Sequence, residues 1–170
     1  FKTSMSAYAV LSQFQWGLST DAPVVGDVDG DGKTDFGIYR SSSQWGVKSV
    51  YSFVKSSGGF NREAALAGMP SAVLNVLFDE VHSDPVLADF QGIGSDSPAV
   101  VEQLQRFWTI KNTSGQLLSS EPWGYAGDTP FGCHFLGDAK ADRVISRIET
   151  NNTISWYVIG ASNVVKVLSF

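Results

Sequence analysis

Short apolar runs alternate with stretches rich in Gly, Ser, Asp and Asn along the whole chain. The clearest are residues 7–14, 44–54 (QWGVKSVYSFV), 72–78, 106–112 (RFWTIKN), 154–160 (ISWYVIG) and 164–170, with a shorter one at Leu117 and Leu118. Runs of this length, rich in Val and aromatic residues and bounded by turn formers, predict β-strands. Val164, Lys166, Leu168 and Phe170 show the period-two alternation only weakly. Residues 61–68 (NREAALAG) alone have a helical composition, and they are too few to define a fold. The pattern predicts an all-β chain.

The polar stretches between the runs repeat. Residues 16–40 (WGLSTDAPVVGDVDGDGKTDFGIYR) align without gaps on residues 123–147 (WGYAGDTPFGCHFLGDAKADRVISR). The two share Trp16/Trp123, Gly17/Gly124, Asp21/Asp128, Pro23/Pro130, Gly30/Gly137, Asp31/Asp138, Lys33/Lys140, Asp35/Asp142, Ile38/Ile145 and Arg40/Arg147. A weaker copy at residues 85–102 keeps Pro85, Val86, Asp89, Gly92 and Gly94. The three prolines lie 62 and 45 residues apart, at or above the ~40–50-residue period of four-stranded repeats. An insertion within residues 56–71 would account for the longer interval. An aromatic run follows each copy, and Trp45, Trp108 and Trp156 are expected at comparable points. The chain is therefore read as one domain over residues 1–170, with approximate repeats 16–70, 78–118 and 123–170, and residues 1–15 as an outer strand of a preceding or completing unit. A β-sandwich with unrelated loops would leave the gapless similarity without a cause.

Composition adds charge and chemistry. Seventeen Asp and Glu against twelve Lys and Arg give a net charge of −5, and no basic stretch is available to neutralise nucleic-acid phosphates. No apolar run reaches the ~18 residues of a membrane helix, so no membrane insertion is expected. Cys133 is the single cysteine; it forms no internal disulfide, and a buried packing role is expected for it.

The first repeat carries an acidic loop, Asp27-Val-Asp-Gly-Asp-Gly-Lys-Thr-Asp35. Carboxylates at its first, third, fifth and ninth positions can wrap a hard cation, because calcium takes about six to eight oxygens. Asp27, Asp29, Asp31 and Asp35 are the candidate ligands, with the Lys33 carbonyl at the seventh position. Gly30 and Gly32 permit the sharp turn. An EF-hand is excluded, since Ile38 stands where its twelfth-position Glu belongs and the flanks read as strands. Asp-Gly turns also form without metal, but four packed carboxylates without a cation would repel one another. The equivalent positions hold Asp89, Gln91 and Ile93 in the middle copy, and His134, Leu136 and Asp138 in the last. Those copies are expected to keep the turn and not the ion, so a single structural Ca²⁺ is expected.

The motif W-G-x(3)-D-x-P-V-x-G-D-x-D-G-D-G-K-x-D, followed by a strand ending at Arg40, resembles the FG-GAP/VCBS-type repeats of bacterial and integrin-like β-propellers. The resemblance covers most of the chain as three copies, and it is strongest in the first. It implies three four-stranded propeller blades, with calcium held by Asp27, Asp29, Asp31, Asp35 and the carbonyl of Lys33. Three blades are too few for a closed ring, so either a larger propeller or oligomerisation completes it; a homodimer would give six. The resemblance further implies a secreted or cell-surface module that recognises a glycan or a protein in adhesion. The alternatives are an accessory module of a secreted carbohydrate-active or other hydrolytic enzyme, and a structural spacer.

Catalysis is not expected within these residues. His82 and His134 are the only histidines, and neither lies in a nucleophile motif. His82 neighbours Asp79, Glu80 and Asp84, which reads as a solvated loop. Adjacent Asp79 and Glu80 would point to opposite faces of a strand and make a poor glycosidase pair. The recurring tryptophans are expected to pack. Ligand contacts are expected on the non-repeating polar loops 41–44, 56–62 and 112–116. Asn112-Thr-Ser and Asn151-Asn-Thr match glycosylation acceptors.

Overall fold

A computed structural model describes residues 17–56, 73–160 and the backbone of 165–169. Its strands form three antiparallel sheets, each built from four strands consecutive in the chain. The first sheet contains β1 (Ala22–Gly26), β2 (Asp35–Arg40), β3 (Ser49–Val54) and β4 (Val73–Phe78). The second contains β5 (Ser83–Ala88), β6 (Ser97–Glu102), β7 (Phe107–Lys111) and β8 (Leu117–Pro122). The third contains β9 (Thr129–Cys133), β10 (Asp142–Ile148), β11 (Ile154–Ile159) and β12 (Val165–Ser169). The 72–78 run thus supplies the last strand of the first sheet, and Leu117 opens the last strand of the second. Residues 1–15, Trp16, all but Ser56 of the insertion expected within 56–71, and the short helical stretch at 61–68 lie outside the described residues.

The repeat is visible as register. Gly26 pairs with Asp35, Ala88 with Ser97, and Cys133 with Asp142. In every case a loop of eight intervening residues joins the first strand to the second, and the acidic loop is the first of these. The sheets meet through their first strands, β1 against β5 and β5 against β9. The described residues close no ring.

Two cores fill the spaces between sheets. Tyr39, Tyr51, Phe53, Val76 and Phe78 project from the first sheet onto Val100 and Leu87 of the second. Period-two alternation puts Ala99 and Val101 on the other face of β6, where they join Trp108 and Ile110 against Ile145 and Tyr157 of the third sheet. Hence β6 is buried on both faces and reads as a nearly continuous apolar run. Full burial of each large apolar side chain stabilises the fold by about 1.5–3 kcal/mol. The Tyr51 hydroxyl lies 2.6 Å from the Ala99 carbonyl and 3.1 Å from that of Val86, so burying it strands no polar group. Gly132 permits the second junction, since a Cβ there would sit 2.6 Å from that of Ala88.

Two sequence expectations need correction. Trp45 does not occupy the strand position of Trp108 and Trp156. Gly46 adopts a φ of 82°, the Val47 N–H donates to the Gln44 carbonyl, and the resulting turn delays β3 until Ser49. Trp45 is left 84% exposed, whereas Trp108 is fully buried. Cys133 is exposed on β9 rather than buried, because its side chain falls on the face of the third sheet that no described sheet covers.

Candidate metal centre

The acidic loop is organised by its own backbone. Gly30 and Gly32 take φ values of 77° and 80°, which turn successive N–H groups inward. The Asp27 carboxylate accepts from the N–H groups of Gly30 (2.7 Å), Asp31 (3.2 Å) and Gly32 (2.8 Å). Asp35, fully buried at the start of β2, accepts from the N–H of Val28 at 2.9 Å and from that of Ser56 at 2.6 Å. The Asp29 carboxylate accepts weakly from the Asp31 N–H at 3.3 Å.

These bonds bring three carboxylates together. Asp27, Asp29 and Asp35 each offer an oxygen within 4.8 Å of the others. Oxygens bound to one calcium at about 2.3–2.6 Å are at most ~5 Å apart, so the spacing fits a shared cation. A carboxylate oxygen that accepts one N–H also retains a second lone pair. The group could hold a metal ion. Asp31 is turned elsewhere: it accepts from the Lys33 N–H (2.9 Å) and the Ser56 hydroxyl, and lies 3.6 Å from the Lys33 ammonium. The Lys33 backbone bond, with smaller help from Ser56 and the Lys33 charge, holds the Asp31 carboxyl below its ordinary pKa.

The second and third loops divide the same scaffold. Asp89 accepts from the N–H groups of Gly92, Ile93 and Gly94, at the same offsets as Asp27, but Ser97 stands where the first loop has Asp35. Asp142 accepts from the N–H groups of Phe135 and Leu136 at 2.7 Å each, as Asp35 does from Val28, but His134 stands where the first loop has Asp27. Asp27, Asp29 and Asp35 form the one candidate metal group among the described residues.

Successive loops are latched together. The Asp96 N–H donates to the Asp27 carbonyl at 2.6 Å, and the Ala141 N–H to the Asp89 carbonyl at 2.8 Å; Asp96 and Ala141 are equivalent positions. Asp96 also accepts from the Asp27 N–H at 2.9 Å. Burial, reinforced by the charges of Asp89 and Asp27, pushes the Asp96 carboxyl above its usual range. A Cβ on Gly26 would come within 2.4 Å of that carboxylate, so a larger residue there would displace Asp96 from the Asp27 N–H. Sequence reasoning missed Asp96 because it has no counterpart in the other copies.

Two ion pairs were written in the repeat without being recognised. Arg40 grips Asp21 with two bonds of 2.7 Å, and Arg147 grips Asp128 with two of 2.8 Å. All four residues belong to the shared positions, and Asp21 and Asp128 also accept from the N–H groups of Leu18 and Tyr125 just after the shared glycine. The third-sheet pair is reinforced by Tyr125 and Tyr157, whose rings lie 4.4 and 4.5 Å from the Arg147 guanidinium.

The remaining candidates lie in turns and pairings of their own. His82 has a φ of 46° and donates its N–H to the Ser42 carbonyl. His134 lies 3.2 Å from the Ala139 carbonyl. Asp79 and Glu80 do not point to opposite faces of a strand as expected: both follow β4 outside any strand and line one groove with Glu102, where Asp79 pairs with Lys48 and Glu80 accepts from the Thr109 hydroxyl. Asn112 and Asn151 occupy hairpin turns and bond within them.

Comparison with family models, with curated proteins and with solved structures returns no match. Fold and site therefore define the class: an all-β chain of three serial antiparallel sheets, with an oxygen-donor loop at one end of the first.

Proposed function

We propose that this chain is a non-enzymatic β-propeller module, stabilised by one calcium ion and used for extracellular recognition of a glycan or protein. The convergence of Asp27, Asp29 and Asp35 carries the metal assignment, since an all-oxygen donor set suits a hard cation. The Lys33 carbonyl, Asp31 after a side-chain rotation, and water would complete its shell. The ion would clip β1 to β2 and, through Asp27, to the second sheet.

The serial sheets, joined through their first strands, support the blade reading. So do the faces that no described sheet covers: Val25 and Phe36 on the first sheet, Phe131 and Phe135 near the third, are each 39–62% exposed. Each sheet junction sets one type of face against the other, so the two free faces are complementary in kind. Further blades of the same kind would cover them, either within a larger propeller or from a second copy, which would give six.

Thermal denaturation with calcium and with chelator tests the metal assignment; the reading requires a higher Tm in calcium. Sedimentation equilibrium then separates a dimer, which supports completion by a second copy, from a monomer, which places the missing blades elsewhere.

A further inference from the structure

The cleft between the second and third sheets has the opposite charge to the acidic loop. It is a groove of about 460 Å³ with apolar walls that include Phe90, Ile93, Leu118 and Ile159; its charged lining is Lys140 and Arg143, with no Asp or Glu. Where the first loop presents Asp29 and Asp31, the second presents Gln91 and Ile93. The lysine of the repeat changes its role with them. Lys33 lies 3.6 Å from the Asp31 carboxylate. Its equivalent, Lys140, donates only its backbone N–H to Asp138, at 3.0 Å, and its ammonium enters no ion pair among the described residues.

Arg143 supplies a second, independent observation. Its side chain is 12% exposed, and its one bond runs from Nη1 to the Glu121 carboxylate at 3.2 Å, which is itself 57% exposed. The Nε and Nη2 groups have no partner among the described residues, yet they are not sealed from solvent. These two groups form the edge with which Arg40 and Arg147 each grip an aspartate, the bidentate geometry that suits a carboxylate. A largely buried charge with one exposed partner is poorly compensated, and a carboxylate arriving in the groove would supply the missing bonds.

The apolar walls set the rest of the ligand. Phosphate or sulfate would leave them unused, and a sugar acid would bury hydroxyls against side chains that return few hydrogen bonds. The last residue of a peptide carries a carboxylate and an apolar side chain on one carbon, so it satisfies both halves. We propose that this groove binds the C-terminal carboxylate of a peptide or protein that ends in a large apolar residue. The carboxylate meets Arg143 and Lys140, and the side chain lies along Phe90, Ile93 and Leu118. The net charge of −5 gives an anion no long-range help, so affinity comes from contact within the groove. The inference rests on the recognition role proposed above and deepens it by naming a ligand class.

The test is an NMR titration of the chain in calcium with N-acetylphenylalanine, its C-terminal amide and glucuronate, read at the backbone amides of Ile93 and Gly160. The acid should bind in the millimolar range, the amide at least about tenfold more weakly, and glucuronate several-fold more weakly. Arg143→Gln should bring acid and amide to equal affinity. Lys140→Gln, at an exposed position, should weaken the acid several-fold with Tm unchanged, and it carries the test if the arginine variant does not fold. Equal binding of acid and amide by the unaltered chain, glucuronate bound as tightly as the acid, or no binding at all would overturn the proposal, as would undiminished affinity in either variant. With a calcium-dependent Tm intact in the same samples, such a failure falls on the groove alone; a Tm indifferent to calcium counts against the module reading.

Discussion

The β1–β2 and β5–β6 loops have the same length, the same strand register and the same pair of left-handed glycines, yet only the first gathers carboxylates. In both, the leading aspartate folds the backbone around itself by accepting three N–H groups. In the second loop, Gln91 and Ser97 replace the residues that would complete an oxygen cage, and the Gln91 amide donates to the Ser97 hydroxyl at 3.2 Å. The nest is therefore a device of the fold, present with or without a ligand set, and the additional carboxylates are what would turn it into a metal site. The third loop makes the same point from the other end, keeping Asp142 and losing the leading aspartate.

Substitutions can separate these two layers. The largest effect is expected for Asp35→Ala, which strands the Val28 and Ser56 N–H groups and removes a ligand: a loss of about 3 kcal/mol in calcium by chemical denaturation, with the calcium response abolished. Asp142→Ala should destabilise comparably in chelator and leave the calcium response intact. Asp27→Ala and Asp89→Ala should each cost about 1–2 kcal/mol in chelator, and only Asp27→Ala should cost more when calcium is added. Asp29→Ala, which removes a ligand and leaves the Asp27 and Asp35 bonds to the backbone in place, should lower Tm more in calcium than in chelator; equal loss in both would mean that the loop works through hydrogen bonds alone.

Transplantation sharpens the contrast in the opposite direction. Gln91→Asp with Ser97→Asp rebuilds the first loop's trio around Asp89, and a second, weaker calcium equivalent should appear in titration calorimetry. Smallest of all is Asp96→Asn. Because the folded Asp96 carboxyl has a raised pKa, its contribution to stability is full below the unfolded pKa and is lost as pH rises through the folded value. The amide still accepts the Asp27 N–H and removes the charge. Calcium-free Tm at neutral pH should rise slightly, and the rise should vanish in acid.

Much of this was legible in the residues. The apolar runs at 72–78, 106–112 and 154–160 supply β4, β7 and β11, and the gapless alignment of 16–40 on 123–147 matches identical register in the described part. Spacing pointed to four carboxylates, of which the structure gathers Asp27, Asp29 and Asp35 and turns Asp31 to the Lys33 N–H and the Ser56 hydroxyl. What escaped depended on geometry across repeats. Asp96 matters because sheet packing places it on the Asp27 N–H. Trp45 escaped for a local reason: the run 44–54 looks continuous, but the turn at Gly46 detaches its first residues from the strand. The Asp21–Arg40 and Asp128–Arg147 pairs could have been found, since both partners are retained together while much around them changes.

The most direct test of the account is calorimetric titration of the metal-free chain with calcium, beside Asp27→Ala. One ion per chain, with no binding to the variant, is the predicted result. An absence of heat at millimolar calcium together with an unchanged Tm, or equal binding by the variant, would contradict it.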